Sequence, residues 1–321
     1  MGHLLIPALR ARGFAVAAVD LVELPSALRE HCIETVEASI LDFPAMDGLL
    51  QRRQPSRVFH LAAILSAKAE REPELAHQVN VKGTLELIKL CLQQPRDEPL
   101  RFFFPSSIAV YGLPCAETKA TAGAVRETEW TVPTAVYGCN KLYCELIGSH
   151  MTRRRSQAGF PPLDFRSIRF PGLISADTMP AGGTTDYAPE MIHAAAQGRP
   201  YTCFVEEETR LPFMTMPDAI EALLRLTEVD ASVLSTRVYN IRGFSASAGE
   251  IAAEVQRHFP EARICFEAVP ERQALVDTWP ADVDDALARS DWGLAPNHGL
   301  QEALGEYLIP ALVRHYARAG D

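Results

Sequence analysis

Residues 100–112 read Leu100-Arg101-Phe102-Phe103-Phe104-Pro105-Ser106-Ser107-Ile108-Ala109-Val110-Tyr111-Gly112, an apolar run that closes on a pair of hydroxyls. A run of this length and composition reads as a buried strand from Leu100 to Ser107. It is followed by Tyr137-Gly138-Cys139-Asn140-Lys141, a Tyr-x-x-x-Lys spacing on a helical stretch. On a helix, positions i and i+4 share a face, so the phenol and the ammonium project into the same space. A free phenol has a pKa of about 10, and a neighbouring cation favours the phenolate. Tyr137 is therefore a candidate base near neutral pH, and a serine at the strand end can hold the oxygen it deprotonates. The same spacing occurs on ordinary amphipathic helices. Its position after a strand ending in Ser-Ser is what selects the catalytic reading.

The surroundings repeat one rhythm. Residues 3–12 read as a helix closed by Gly13, and Phe14 to Asp20 as a strand ending on an acid. A short strand near 34–41, a helix near 44–53, a buried strand from Arg57 to Ala63 and a long helix over 72–93 lead to the strand at 100–107. A helix over 136–155 carries Tyr137, and Phe165 to Pro171 supplies another strand. Apolar strands alternating with helices predict an α/β fold, a doubly wound parallel sheet covered on both faces. After Gly172 the pattern loosens. Ala181-Gly182-Gly183-Thr184-Thr185-Asp186-Tyr187 is a turn into a helix, with Asp186 or a threonine as its cap. Residues 237–241 read as a strand returning to the main sheet, and helices near 247–258, 282–290 and 299–318 complete a smaller lobe. We therefore expect a dinucleotide-binding domain over 1–172 and a substrate-binding lobe mainly over 173–321.

With 31 basic and 41 acidic residues, the net charge of −10 argues against nucleic acid or an anionic membrane as partner. The cysteines at 32, 91, 115, 139, 144, 203 and 265 contain no Cys-x-x-Cys pair. They are expected as free thiols of a reducing compartment, the cytoplasm, with the mitochondrial matrix as the alternative. The histidines show no metal-ligand spacing. No apolar segment approaches the roughly 20 residues that span a bilayer, and the opening residues do not read as a targeting segment.

In a doubly wound sheet a dinucleotide lies across the carboxyl ends of the strands, and an acid closing the second strand can bond the adenosine ribose hydroxyls. Asp20 stands where that acid belongs. Its charge repels a 2′-phosphate, so NAD rather than NADP is expected. The turn preceding such an acid uses a strand and three glycines. The chain as given opens Met1-Gly2-His3 at the start of a helix, so Gly2 fits only the last of those glycines. The strand that precedes such a turn lies mid-sheet, so open strand edges are expected beside it.

At His60-Leu61-Ala62-Ala63, Val79-Asn80-Val81-Lys82-Gly83-Thr84, Pro105-Ser106-Ser107 and Tyr137-Gly138-Cys139-Asn140-Lys141, the chain resembles the extended short-chain dehydrogenases/reductases, the NAD-dependent epimerase/dehydratase superfamily. Further stretches resemble its L-threonine 3-dehydrogenase branch. These are Arg169-Phe170-Pro171-Gly172-Leu173-Ile174-Ser175, Gly182-Gly183-Thr184-Thr185-Asp186-Tyr187-Ala188, Tyr201-Thr202-Cys203-Phe204, Tyr239-Asn240-Ile241-Arg242-Gly243-Phe244-Ser245 and Asp277-Thr278-Trp279-Pro280-Ala281.

The resemblance implies a catalytic group of Ser107, Tyr137 and Lys141. It implies an NAD site lined by Gly2, Asp20, Asp42, Phe43, Leu61, Ala62, Ala63, Asn80 and Leu173 together with Tyr137 and Lys141. Ser66, Ser107, Thr184, Thr185 and Trp279 would surround the substrate. The implied reaction is NAD-dependent oxidation of the C3 hydroxyl of L-threonine to 2-amino-3-oxobutanoate by hydride transfer, with Tyr137 as base. A homodimer through the Tyr137 helix is also implied, that helix carrying Leu142, Leu146 and Ile147 on its outer face. Two other readings stay open: a nucleotide-sugar epimerase or dehydratase of the same fold, and a non-catalytic NAD-binding homologue. Locally, Ser66 can be a cap, the threonines turn formers, Trp279 core packing and Arg272 a surface ion pair.

Overall fold

The computed structural model of the chain describes residues 1–94, 98–158, 163–176 and 183–319, with backbone only at 154–158 and 317–319. Ala181 and Gly182 of the glycine-rich turn lie outside the described residues. Through the first half, helices and strands alternate as α1 (Gly2–Ala11), β1 (Val16–Asp20), α2 (Ser26–Arg29), β2 (Cys32–Glu37), α3 (Phe43–Arg53), β3 (Arg57–Phe59), α4 (Ser66–Arg71), α5 (Pro73–Ala76), a π-helical stretch His77–Gly83, α6 (Thr84–Gln93) and β4 (Leu100–Ser107). Then come α7 (Ala116–Thr121), β5 (Ala124–Val125), α8 (Val136–Ala158), β6 (Leu163–Phe170), β7 (Gly172–Ile174), α9 (Tyr187–Ala196), β8 (Tyr201–Cys203), β9 (Arg210–Thr215) and α10 (Met216–Glu228). The remainder is β10 (Val238–Asn240), β11 (Phe244–Ser247), α11 (Ala248–His258), β12 (Ile264–Phe266), α12 (Pro270–Asp277), β13 (Asp282–Val283), α13 (Ala286–Trp292), α14 (Leu300–Glu302) and α15 (Ile309–Ala319).

The central sheet has the order β10-β6-β4-β3 and is parallel throughout, with Phe102 opposite Phe165 and Ser107 opposite Phe170. All eight residues of β6 are buried, as a strand covered on both faces must be. Stacked rings of Phe102 and Phe104 on Phe165, at 6.2 and 6.0 Å, fill one face. The strand near 237–241 does rejoin this sheet, Tyr239 pairing with Ile168.

A second parallel pair, β1 and β2, stands apart. Among the described residues no strand pairs with the second edge of β1 or of β3, and both strands are largely half-buried. The two sheets adjoin: the Phe14 ring, just ahead of β1, lies 4.4 Å from the Arg57 guanidinium that opens β3. The open edges expected from the sequence are thus present.

Several boundaries differ from expectation. The strand begun at Arg57 ends at Phe59, and residues 60–65 form a loop. The long helix begins earlier, at Ser66, breaks at Glu72 and winds through the π turn. Glu72 is drawn out of helical geometry (φ −130°, ψ 63°) because it precedes Pro73. The helix expected over 282–290 gives way to β13, which pairs with β5, followed by a helix from Ala286.

His60 follows β3 directly and is buried, its backbone N–H donating to Phe103 O at 3.1 Å. Its Nε2 lies 2.8 Å from Thr84 Oγ1, whose own proton goes to Asn80 O, so Nε2 carries hydrogen and donates. Burial, with the Lys141 charge nearby, lowers the imidazole pKa from 6.5 to about 3. Between these values the unfolded chain binds a proton that the fold refuses, so stability falls as pH drops from 6.5 towards 3. One such group contributes about 1.4 kcal/mol per pH unit. A His60→Gln chain should flatten the pH dependence of urea unfolding between pH 6.5 and 4.5. An unchanged slope would show that other groups govern acid sensitivity.

Candidate functional site

The first turn of α8 is pressed onto the end of β4. A Cβ at Gly138 would stand 2.0 Å from Ala109 O and 2.9 Å from the same carbonyl carbon, so only glycine admits this approach. That contact sets the neighbouring residue, Tyr137, beside the strand end that carries Ser107. Ser107 is the last residue of β4, in extended geometry, and its Oγ accepts from Ala109 N at 3.2 Å. One turn further on α8, Lys141 is buried and its Nζ donates to Pro105 O at 2.6 Å. The ammonium lies 4.5 Å from the Phe104 ring centroid and 5.4 Å from that of Tyr137.

Burial lowers the Lys141 pKa to about 8, against the opposing influence of Cys144 and Glu145. Burial also pushes the Tyr137 phenol above its ordinary value. The sequence leads one to expect a phenol lowered by its lysine. Here the lysine proton is directed at a carbonyl, and desolvation of the phenol dominates.

The loop after β3 is braced from two sides. Asn80, in the π-helical stretch, accepts from Ile64 N at 2.8 Å and donates to Ile64 O at 3.0 Å and to Asn140 Oδ1 at 3.3 Å. Its amide therefore holds protein to protein and shapes the loop that carries Leu61, Ala62 and Ala63. Ser66 opens α4 and meets Thr184 across the chain, their hydroxyl oxygens 3.2 Å apart. Arg272 pins the same turn from below, its Nη2 donating to Gly183 O at 3.1 Å while its guanidinium covers the Phe204 ring at 3.4 Å. Asp186 sits at the N-cap position of α9, yet its carboxylate accepts from Gly183 N at 2.6 Å and makes no hydrogen bond into the helix. Trp279 is buried, and its Nε1 has no hydrogen-bond partner among the described residues.

The residues expected around a dinucleotide follow the carboxyl ends of β1, β2, β3 and β6. Asp20 is exposed at the end of β1. Asp42 caps α3, accepting from Ala45 N at 3.1 Å, with Phe43 beginning that helix. Leu61, Ala62 and Ala63 lie in the loop after His60, and Leu173 lies in β7. No side chain caps α1, and a Cβ at Gly2 would meet nothing nearer than Leu61 Cδ1 at 3.9 Å. An uncapped helix start with open space at its glycine suits a phosphate, and an exposed acid suits ribose hydroxyls. The residues present therefore fit a dinucleotide.

Sequence reasoning missed the charges beneath the site. Glu145, two turns beyond Tyr137, accepts from Ser106 Oγ and from Arg169, whose Nη2 lies 2.7 Å from Glu145 Oε2. Arg169 Nη1 continues to Tyr111 OH at 2.9 Å and Glu127 O at 2.7 Å, and Tyr111 OH donates to Asn240 Oδ1 at 2.6 Å. The 137-141-145 spacing on one helix face was the signal available for Glu145.

A model of the NAD dependent epimerase/dehydratase family matches residues 1–241. The mitochondrial L-threonine 3-dehydrogenase of Bos taurus is 35% identical over 267 residues, 83% of this chain and 68% of that protein. Among solved structures, a partial consensus L-threonine 3-dehydrogenase superposes with a TM-score of 0.84 at 34% identity, covering 99% of this chain and 96% of the other. The holo form of a GalE-like L-threonine dehydrogenase from Cupriavidus necator superposes with a TM-score of 0.81 at 34% identity, covering 96% and 95%.

The Gly138 contact sets two effects in opposition. Alanine raises helix propensity by about 1 kcal/mol over glycine, whereas its Cβ collides with Ala109 O. Gly138→Ala should lower the melting temperature, because neither backbone can withdraw without breaking the strand–helix junction. A melt at or above that of the parent would show that the junction yields.

Proposed function

The chain belongs to the NAD dependent epimerase/dehydratase family, and from that membership we propose that it oxidises the C3 hydroxyl of L-threonine to the ketone of 2-amino-3-oxobutanoate, with NAD as hydride acceptor. The observation that carries the substrate assignment is the Gly183-Thr184-Thr185-Asp186 turn. It resembles the threonine dehydrogenases in sequence, and Arg272 and Ser66 hold it against the loop after β3. In this reading residues 1–172, with β10, bind the cofactor and 173–321 mainly shape the substrate lobe.

Gly2, Asp20, Leu61, Ala62, Ala63 and Leu173 would hold NAD, with Asp42 and Phe43 towards the adenine. When bound, the nicotinamide supplies the acceptor for the C3 hydride. Ser107 Oγ and Tyr137 OH bond the substrate hydroxyl and fix its orientation, which is the larger part of catalysis in such a site. Tyr137 OH takes the hydroxyl proton. Its burial opposes ionisation, and the positive charge of Lys141, 5.4 Å from its ring, acts in the other direction. Thr184, Thr185, Ser66 and Trp279 confine the amino-acid end.

A sugar-nucleotide substrate demands free cations for its diphosphate. Of the distal arginines Arg237, Arg242, Arg263 and Arg272, Arg237 pairs with Asp164 at 3.1 Å, Arg242 with Asp282 at 3.0 Å, Arg272 holds the turn, and Arg263 is exposed, so they form no cluster of free cations. This argues for the smaller substrate. The proposed homodimer draws support from α8, where Tyr143 (46% exposed) and Leu146 (63%) face outward beside a groove of about 490 Å³ lined by His77, Val81, Lys82, Leu85 and Tyr143. Leu142, expected on that outer face, instead packs partly into the core.

Two substitutions test the chemistry. Tyr137→Phe should bind NAD as the parent does and lose at least about a hundredfold in threonine-dependent NADH formation, while Asp20→Ala should erode the preference for NAD over NADP. Parent-like turnover in the first sinks the base, and an unchanged cofactor ratio in the second sinks the ribose contact. Activity on UDP-glucose but not L-threonine would transfer the site to sugar-nucleotide chemistry. Sedimentation of the protein at micromolar concentration should show a dimer that Leu146→Glu converts to monomer; a parent already monomeric ends that part of the reading.

A further inference from the structure

Lys141 has neighbours on every side, and only some carry charge. From the loop after β3 comes His60, neutral through burial. From β4 come the Phe104 ring and Pro105 O. On α8 itself stand Tyr137, Cys144 and Glu145. Burial holds the Cys144 thiol at about 11, so it is neutral at pH 7. Glu145 is the carboxylate that remains, one helical turn from Lys141, and its side chain is 2% exposed. Behind it, from β6, lies the Arg169 cation.

Glu145 is also tied to the strand that ends in the catalytic serine. Ser106 Oγ donates to Glu145 Oε1, and Arg169 Nε reaches both carboxylate oxygens at 3.0 and 3.2 Å. Ser106 and Arg169 are register partners on β4 and β6. Two successive residues of β4 therefore meet α8 in order, Pro105 through Lys141 and Ser106 through Glu145, and Ser107, to which the proposed function gives the substrate hydroxyl, comes next.

We propose that Glu145 is a positioning residue of the reaction: it clamps the end of β4 to α8 through Ser106, and its charge, oriented by Arg169, keeps Lys141 protonated beside Tyr137. The proposal rests on the reading of Ser107, Tyr137 and Lys141 given above. Removing Glu145 leaves Arg169 as an uncompensated buried cation, which further disfavours a second positive charge nearby.

The test is the pH profile of kcat for L-threonine oxidation with saturating NAD, on the full chain. In Glu145→Gln the alkaline limb should move to lower pH by about one unit. Glu145→Asp, which keeps the charge, should hold the limb near its parent position even at reduced kcat. Glu145→Gln with Arg169→Gln leaves no unpaired buried charge and serves if the single variant does not fold; its limb should also move down, by less. A parent-like limb in every folded variant that lacks the carboxylate overturns the proposal, whatever the melting temperatures. Lys141→Met, assayed alongside, separates the two levels: parent-like turnover there refutes the catalytic group itself. An inactive Lys141→Met with an unmoved Glu145→Gln limb refutes only the role of Glu145.

Discussion

The approach of α8 to the end of β4 is the contact on which the site depends. It is possible because residue 138 has no side chain to meet Ala109 O. With the two backbones in touch, the helix turn of Tyr137 lies against the strand end that Ser107 closes, and Lys141 is carried inward to where Pro105 O is its acceptor. Pro105 fits the same arrangement. It lacks an N–H, a defect usually confined to sheet edges, and here β3 has already ended at Phe59. The proline thus occupies the part of β4 that has outrun its neighbour, and its carbonyl is free for a side chain.

Beneath that corner the central sheet carries charge where a parallel strand is usually apolar. Asp164, Arg166 and Arg169 all lie on β6 and are all buried. Each has a partner. Arg166 Nη2 reaches Asp164 Oδ2 at 2.6 Å, and its Nη1 donates to Val229 O at 2.8 Å, just past the end of α10, where a cation suits the helix dipole. Arg169 has Glu145. Such pairs do not reward folding strongly, but truncating one member strands a charge at a cost of about 3–5 kcal/mol. They specify which helices may lie on β6 and in what register.

What was legible in the sequence followed from periodicity and punctuation. The run at 100–107, the helix after 136 and the returning strand at 238–240 emerged because apolar alternation and strand length mark them locally. The π-helical turn at 77–83 had no local mark. Its geometry answers to the partners of Asn80 in the loop and on α8, remote in sequence. For the same reason Asp42, read as lining the cofactor site, also caps a helix, and Arg272 looked like a surface charge and is a pin. Glu145 was visible as one more residue on the Tyr137 face, but nothing local says that the strand after its helix supplies its arginine. Residue type and spacing nominate groups for chemistry; which of them act directly and which act through another is decided by long-range packing.

The division of the sheet has a consequence for how the molecule breathes. β4 and β6 are locked by ladder bonds, stacked phenylalanines and paired charges, so their amides should report the global unfolding free energy. β1 and β2 form a ribbon of their own, half-buried and, among the described residues, unpaired along one edge of β1. Open parallel edges template pairing with any extended chain that reaches them. The half of the cleft that carries Asp20 therefore belongs to the softer part of the molecule, and whatever binds there would stiffen that ribbon as it binds.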